Sequence, residues 1–301
     1  MLKNARYYQL KDPEALDPEI LEERLAQRRY RPCGPLELAS FGWHPPLPGG
    51  TQALVHAASG CLLLSARRQE RLLPSAVIAE ALDERVAELE EREVREIGRS
   101  ERRRLREEIL IDMLPRAFTR SRQIRAYLDR IAGWLVVDAA SERAADELVS
   151  LLRETLGSLP VRPPRPERNP ADLMTSWVRQ GKAPEGLALG DECELRDARD
   201  ERAVVKCRGQ DLVGEEIATH LQAGKQVVKL ALDWRNSLSF VLQEDLSLKR
   251  LRFADALIEE AVEPDQEDEA ARFDAELVMI ALELRGLLGR LDNLFGIASD
   301  R

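Results

Sequence analysis

Apolar residues between positions 77 and 113 recur at steps of three and four, the spacing that places them on one side of a helix. They form a narrow seam in otherwise charged sequence, since 18 of the 26 residues from Asp83 to Glu108 are Asp, Glu or Arg. So polar a stretch cannot be buried in a core. The pattern therefore predicts two antiparallel helices over residues 74–113 that pack mainly on each other and project from a globular body.

The ends of these two helices carry their own signals. Gly98 suits the stop of the first helix, and Ser100 suits the N-cap of the second. Pro115 should end the second helix. An aromatic residue then follows among arginines: Phe118 is surrounded by Arg116, Arg120, Arg122 and Arg125. Charge-rich helices are usually solvated faces, and Phe118 fits ordinary core as well as an interface.

Alternation and helical periodicity predict the other elements and an α+β class with antiparallel sheets and packed helices. The predicted strands are Ala5–Leu10, Thr51–Ala58, Cys61–Arg68, Arg122–Leu128, Gly133–Ala139, Ala203–Arg208, Lys225–Trp234, Leu238–Gln243 and Leu248–Phe253. The predicted helices are Pro18–Arg29, Ser141–Leu156, Asp172–Arg179, Val213–Ala223 and a long terminal helix, Glu269–Phe295. Pro/Gly-rich loops are expected at Phe41–Gly50 and after Arg179.

The clearest linker in the sequence is the proline-rich segment at residues 161–170. It suggests an N-terminal α+β body formed by residues 1–73 together with 114–160. Residues 74–113 form the helical hairpin. Residues 171–301 form a C-terminal α+β body that ends in the long helix.

The net charge of −9 argues at first against a polyanionic partner. Its distribution changes that conclusion. Residues 255–283 contain eleven acidic residues and one basic residue, so this segment alone carries −10 and leaves +1 for the rest of the chain. We expect the acidic segment to lie away from any bound polyanion.

Several features bear on where the protein works. No apolar run approaches the roughly 20 residues that a membrane span needs, and the N-terminus has no apolar stretch that suits a secretory signal. The cysteines, at positions 33, 61, 193 and 207, are far apart and form no CxxC pair. This pattern is typical of reduced thiols, so a cytoplasmic protein without a membrane partner is expected.

Several predicted strands place basic residues at positions of one parity, and residues of one parity share a face of a sheet. The sets are Arg202 with Lys206 and Arg208, Lys225 with Lys229, Arg250 with Arg252, and Arg120 with Arg122. On the strand from Lys225 the opposite parity is apolar, which makes it the core face. A sheet with one apolar and one basic face is a platform for phosphates, although solvated lysines are also common on sheets.

The residues give little support for catalysis. The histidines, at positions 44, 56 and 220, have no metal-ligand spacing, and no Cys/His/carboxylate cluster suggests zinc. Gly224–Lys225 resembles part of a phosphate loop, but Thr219 stands at its first glycine position. Asp138 and Asp233 end strands as nuclease carboxylates do, yet neither has a second carboxylate at fixed spacing. We therefore expect no enzyme activity, no cofactor and no metal.

Several segments, in order along the whole chain, resemble the bacterial recombination-associated protein RdgC family. They are RPCGPLELASFGWHPPL from Arg31, LVHAASG from Leu54, MLPRAFTRSRQ from Met113, LLRETLGSLPV from Leu151, EEIATHLQAGKQVVKLALDW from Glu215 and SLKRLRFAD from Ser247. The resemblance implies a homodimeric ring that encircles DNA without sequence specificity, associates with the nucleoid and limits the access of the RecA recombinase.

Residue by residue, the resemblance implies three roles. Phe118 matches an aromatic residue that fills a pocket at one dimer contact, Gln210 matches the second dimer contact, and Lys225 matches a DNA-binding basic residue. The chain departs from the family at its start, MLKNARYY, and at Gly209, where a basic residue is usual.

The sequence therefore predicts a non-enzymatic DNA-binding homodimer. Its predicted DNA-binding residues are Arg116, Arg120, Arg122, Lys206, Arg208, Lys225, Lys229, Arg250 and Arg252. Whether duplex or single-stranded DNA is preferred stays open. The alternatives are a metal-dependent nuclease or related DNA-processing enzyme, and a scaffold that binds only protein.

Overall fold

An antiparallel sheet and the helices packed on it make up the computed structural model, which describes residues 2–47, 51–257 and 269–297. The strands are β1 (Asn4–Leu10), β2 (Ala39–Trp43), β3 (Val55–Ala58), β4 (Cys61–Arg71), β5 (Thr119–Asp129), β6 (Trp134–Val137), β7 (Val161–Arg162), β8 (Leu187–Asp197), β9 (Val204–Arg208), β10 (Lys225–Trp234), β11 (Leu238–Gln243) and β12 (Leu248–Phe253). The helices are α1 (Pro18–Ala26), α2 (Ser75–Glu93), α3 (Arg99–Met113), α4 (Glu142–Leu156), α5 (Pro170–Gln180), α6 (Glu215–Gln222) and α7 (Glu269–Phe295). The predicted α+β class with antiparallel pairing is confirmed.

One 12-stranded sheet runs through both predicted bodies in the order β2-β4-β5-β6-β1-β12-β11-β10-β8-β9, with β3 beside β4 and β7 beside β1. Strand β1 joins the halves. Its start pairs with β12, where Asn4 lies opposite Lys249, and the rest pairs with β6, where Tyr8 lies opposite Leu135. Because directly opposite residues share a face, the two sides of the sheet can be followed from one end to the other.

The two sides of the sheet are covered differently. Helices α1 and α4 pack on one side of the N-terminal strands, where Leu25 and Leu148 join a core with Leu64. Helices α5, α6 and α7 cover the other side and contribute to a core that draws on both halves. We call the α1/α4 side of β8 to β12 the open face, because charged side chains stand there instead of an apolar cluster.

Helix α7 is tied to the N-terminal half by a buried ion pair. Arg285 donates from Nε to Oδ2 of Asp129 at 2.8 Å and from Nη2 to Oδ1 at 3.0 Å. Asp129 also accepts the backbone N–H groups of Ile131 and Ala132 in the β5–β6 turn. The hydrogen bonds that Arg285 donates to Asp129 raise the pKa of the Arg285 guanidinium above its ordinary value, so the arginine keeps its charge.

The predicted linker, residues 161–170, is hydrogen-bonded within the fold. Strand β7 pairs with β1, and the backbone N–H of Arg168 donates to the carbonyl oxygen of Phe295 at 3.0 Å. The division into two bodies stays a prediction. The acidic segment predicted to lie away from a polyanion falls in part on residues 258–268, which lie outside the described residues.

Helices α2 and α3 pack on each other through Val86, Leu89, Ile97 and Leu105, but the predicted turn between them is wrong. The first helix ends at Glu93, and Val94 follows in the left-handed conformation at φ 52°. Gly98 is the N-cap of α3, so Ser100 lies inside that helix. Side chains fix this turn, since Arg95 donates to Glu101 twice at 2.9 Å, and Glu90 accepts the Ile97 N–H at 2.8 Å.

Two strands replace predicted loops. The structure has β2 where the sequence predicts a loop from Phe41, and it has β8 where the sequence predicts a Gly/Pro-rich loop after Arg179. Both contain a glycine where a neighbour comes too close for a side chain: a Cβ on Gly42 would lie 2.7 Å from the Tyr30 Cα, and one on Gly190 would lie 2.8 Å from the Ala231 Cβ. These glycines serve close packing within strands rather than turns.

Candidate nucleic-acid interface

Five cations from three strands line one cleft on the open face. Lys206 lies opposite Glu194 and Arg208 opposite Glu192 between β8 and β9, and Lys229 on β10 also lies opposite Glu194. Strand β12 adds Lys249, opposite Val241 of β11, and Arg250. With two glutamates among five cations, the group carries a charge of +3. Its members line a cleft of 220 Å³.

The two glutamates lie beneath the cations. The Glu194 carboxylate is 3.0 Å from Lys229 Nζ and 3.6 Å from Lys206 Nζ, and the Glu192 carboxylate is 3.3 Å from Arg208 Nε and 2.5 Å from Arg250 Nη2. The side chains of Lys206 and Arg208 are 67% and 71% exposed, against 16% and 21% for Glu194 and Glu192. An approaching polyanion therefore meets positive charge first.

The glutamates also hold the cations in place. The hydrogen bond from Arg250 lowers the pKa of Glu192, so this carboxylate is ionised throughout the neutral range. Each glutamate bridges cations on two different strands. Shared carboxylates of this kind orient several long side chains together, which reduces the entropy that a bound phosphate would have to remove.

Lys225 and Lys229 do not share a face, so that prediction is wrong. Val227 lies opposite Leu195 and is buried in the core, whereas Lys229 lies opposite Glu194 on the open face. A β-bulge at Val228 adds one residue to β10 between these two pairs. Residues before the bulge therefore point to the face opposite to the one that alternation from Lys229 would give them. Lys225 thus has the parity of the core face at the strand start, and its Nζ donates to the carbonyl oxygen of Ala203 at 3.1 Å.

Arg250 and Arg252 lie on the same face, as predicted, but for a different reason. Arg250 is a bulge residue at φ 53°, and it reaches across to Glu192. Arg252 lies opposite Ser239, and in the described part of the chain it has no ion-pair partner. Because the bulge takes up one position, Lys249 also lies on this face. The alternation rule alone did not identify Lys249.

Arg120 and Arg122 form a separate group at the far end of β5. The register places them on the same side of the sheet as the open face, but helix α4 packs on the strands in between. Arg120 pairs with Glu70 and Arg122 pairs with Glu147 on α4. Arg116 is exposed in a 3-10 turn before the strand. Arg116, Arg120 and Arg122 therefore do not join the cations of the open face within one chain.

Phe118 is 85% exposed, so the core alternative for this residue is wrong. Its carbonyl oxygen accepts the N–H of Leu72 at 2.7 Å, and Leu72 is itself exposed, so two apolar side chains stand together near the start of α2. Gln210 is exposed just beyond β9 and follows Gly209, whose φ of 64° favours glycine.

The residues considered for catalysis have structural partners. Asp138 accepts the backbone N–H of Asn4 at 2.9 Å, and Asp233 accepts that of Asn236 at 2.7 Å. His56 Nε2 lies 2.5 Å from the Asp274 carboxylate. Over the described ranges, no three His, Cys, Asp or Glu side chains are grouped to hold a metal ion. No helix in those ranges has both the length and the apolarity to cross a bilayer.

Comparison with known proteins places these residues in context. A family model described as "Putative exonuclease, RdgC" matches residues 1–298. A protein of Halorhodospira halophila named "Recombination-associated protein RdgC" is 44% identical over 294 residues, covering 98% of this chain and 97% of its own. Proteins of the same name from Tolumonas auensis and Salmonella newport are 43% and 41% identical over 294 and 300 residues, covering 98% and 99% of this chain and 97% and 99% of their own.

Proposed function

The chain belongs to the RdgC family of recombination-associated proteins, and from this premise we propose that it binds DNA as a homodimeric ring without reading its sequence. The charged side chains of the open face support this proposal most directly. There, exposed lysine and arginine side chains stand above two more deeply placed glutamates on a sheet that has its core on the other side. We name this set of five cations and two glutamates the basic face.

The geometry of the basic face suits phosphates better than bases. Long cations on three strands, of which Lys206, Arg208 and Arg250 are exposed, match a line of phosphate charges, and binding releases the counterions condensed on DNA. Base readout needs side chains that enter a groove, usually from a helix or a two-stranded ribbon. A broad charged sheet face therefore supports backbone binding that is independent of sequence.

A ring requires two contacts between the protomers, and two exposed residues are candidates for them. Phe118, with Leu72 beside it, offers an apolar anchor of the kind that dominates interface energies. Gln210 stands in the other half of the chain, beyond the edge strand β9. In the closed ring we expect the basic faces to line the hole, where they surround the duplex.

A ring on duplex DNA occupies the backbone that other DNA-binding proteins need. In this proposal the protein limits the access of RecA by occupancy, and it is found with the nucleoid because its ligand is there. The mechanism requires no direct contact with RecA and no turnover.

The second candidate function is that of an exonuclease, because the matching family model carries that word in its description. Such an enzyme would hold divalent cations through grouped carboxylates at the DNA backbone. The two carboxylates on the basic face are already engaged by four cations, which supports binding over hydrolysis. We therefore propose a protein without catalytic activity.

A gel shift separates the candidates. Plain linear duplex is incubated with the dimer, with and without magnesium. We expect retarded, intact DNA in both lanes, and duplexes of scrambled sequence should bind within a few-fold of one another. DNA that is shortened only with magnesium would favour the exonuclease. Unshifted DNA would favour a scaffold that binds protein alone.

A further inference from the structure

Two cysteines face each other in the core beneath the basic face. Cys193 of β8 and Cys207 of β9 are directly opposite in the strand register and are only 1% and 6% exposed. Directly opposite residues of an antiparallel pair have Cα atoms about 4.5–5.5 Å apart. A disulfide bond closes over Cα separations of about 4.4–6.8 Å. The backbone therefore already holds this pair at bonding range.

The strand that carries Cys207 is an edge strand. Among the described strands β9 pairs only with β8, over five residues. Short edge strands open more easily than central ones, because fewer hydrogen bonds and side-chain contacts hold them in place. The other face of β9 carries Lys206 and Arg208, and its end leads to Gln210.

We propose that Cys193 and Cys207 are a dithiol that a low-molecular-weight disulfide oxidises reversibly to a cross-strand disulfide, which clamps β9 onto β8. The modification site lies beneath the basic face and is independent of the DNA-binding proposal.

The reaction balances in two exchanges. When β9 opens, the Cys207 thiol loses its proton, and the thiolate attacks one sulfur of glutathione disulfide and releases one glutathione thiolate. As β9 returns, and before the pair is buried again, the Cys193 thiol loses its proton, and its thiolate attacks the Cys207 sulfur and releases the second glutathione thiolate. Two electrons pass from the protein to the oxidant, and the two protein protons end on two glutathione molecules.

The closed strand protects the pair from oxidation. Burial raises the pKa of the Cys193 thiol to about 12, so little thiolate forms while β9 is in place. Opening of the edge strand therefore limits the rate. Once formed, the disulfide closes a loop of 15 residues and should disfavour opening of β9 on the order of 100-fold.

The other cysteines serve as internal controls. Cys61 is buried opposite Asp129, and Cys33 is half-buried in the loop before β2. Neither faces a second cysteine, so glutathione disulfide can at most cap them. A clamp between Cys193 and Cys207 is therefore distinguishable from general thiol oxidation.

The test uses the full chain in its folded state. Incubation with glutathione disulfide, followed by peptide mapping under non-reducing conditions, should give a Cys193–Cys207 cross-linked peptide that disappears with dithiothreitol. Hydrogen exchange of the β9 amides should slow on the order of 100-fold after oxidation and recover after reduction. A Cys193→Ser variant should accumulate glutathione on Cys207, whereas Cys207→Ser should leave Cys193 unmodified.

Two results would overturn the proposal. One is wild-type protein whose Cys33 becomes capped while Cys193 and Cys207 stay as thiols. The other is a cross-link that forms only at denaturant concentrations that unfold the whole chain. The wild-type mapping decides the question even if a serine variant fails to fold.

Discussion

Replacing Glu194 by glutamine should tighten DNA binding. Glu194 lies beneath Lys206 and Lys229 and is only 16% exposed, so it offsets their charge without meeting DNA itself. Glutamine has nearly the same shape as glutamate, and it keeps one side-chain oxygen that the two lysines can contact. The variant therefore changes the net charge of the basic face from +3 to +4 with little change in packing.

The size of the effect follows from distance and screening. A phosphate bound by Lys229 would lie about 7 Å from the carboxylate, and at that distance two unit charges in water repel by ~0.6 kcal/mol. A ring with two such faces gains about 1.2 kcal/mol, which is about sevenfold in affinity at low salt. At 0.1 M salt the Debye length of about 10 Å halves the energy, so the gain falls to about threefold.

The opposite perturbation is Lys206→Ala, which should weaken binding and lower the salt slope by about two units for a ring with two faces. Two matched controls lie on the helix-covered side of the same half: Glu216→Gln on α6 and Lys182→Ala after α5, both exposed. Fluorescence anisotropy with a short labelled duplex measures all four variants. Thermal melting confirms that each is folded.

If Glu194→Gln binds no more tightly than wild type while melting normally, then the basic face is solvated surface. If Glu216→Gln tightens binding equally, then only the net charge of the protein matters.

Three further predictions concern the interface and the core. Phe118→Ser should leave the melting temperature unchanged, because the Phe118 side chain is 85% exposed, and a large loss of melting temperature would contradict this. The same variant should speed DNA release from closed circles more than from linear duplex. Arg285→Met should lower the free energy of unfolding in denaturant by about 3–5 kcal/mol, because it leaves the buried Asp129 carboxylate without its partner. Adding Asp129→Asn to the same chain should restore part of that loss, whereas fully additive losses from the two substitutions would argue against the ion pair. Burial raises the pKa of Asp292 to about 7, above its value in the unfolded chain, so the wild type should lose stability relative to Asp292→Asn as pH rises from about 4 through 7; parallel pH profiles would contradict this.

The last three strands and the last helix were predictable because their pattern is strong. Strands β10, β11 and β12 and helix α7 have the bounds that alternation and periodicity gave. Lys206 and Arg208 share a face as predicted, because β9 pairs regularly with β8. Where strand pairing is regular, residues two positions apart in the sequence lie on the same face of the sheet.

The rest of the candidate site depended on irregular pairing. Bulges at Val228 and Arg250 shift the parity of their strands, which separates Lys225 from Lys229 and adds Lys249 to the basic face. Strand β8 was missed because Gly190 and several charged residues resemble a loop. The glutamates that organise the face lie on that strand, so sequence reasoning missed them as well.

The salt dependence of duplex binding tests backbone binding by the basic face most directly. If the cations of two basic faces contact on the order of 6–10 phosphates, a plot of log affinity against log salt should have a slope between about −5 and −9. The slope should be the same for duplexes of scrambled sequence. A flat response, or a slope that appears only with one preferred sequence, would contradict backbone binding by the basic face.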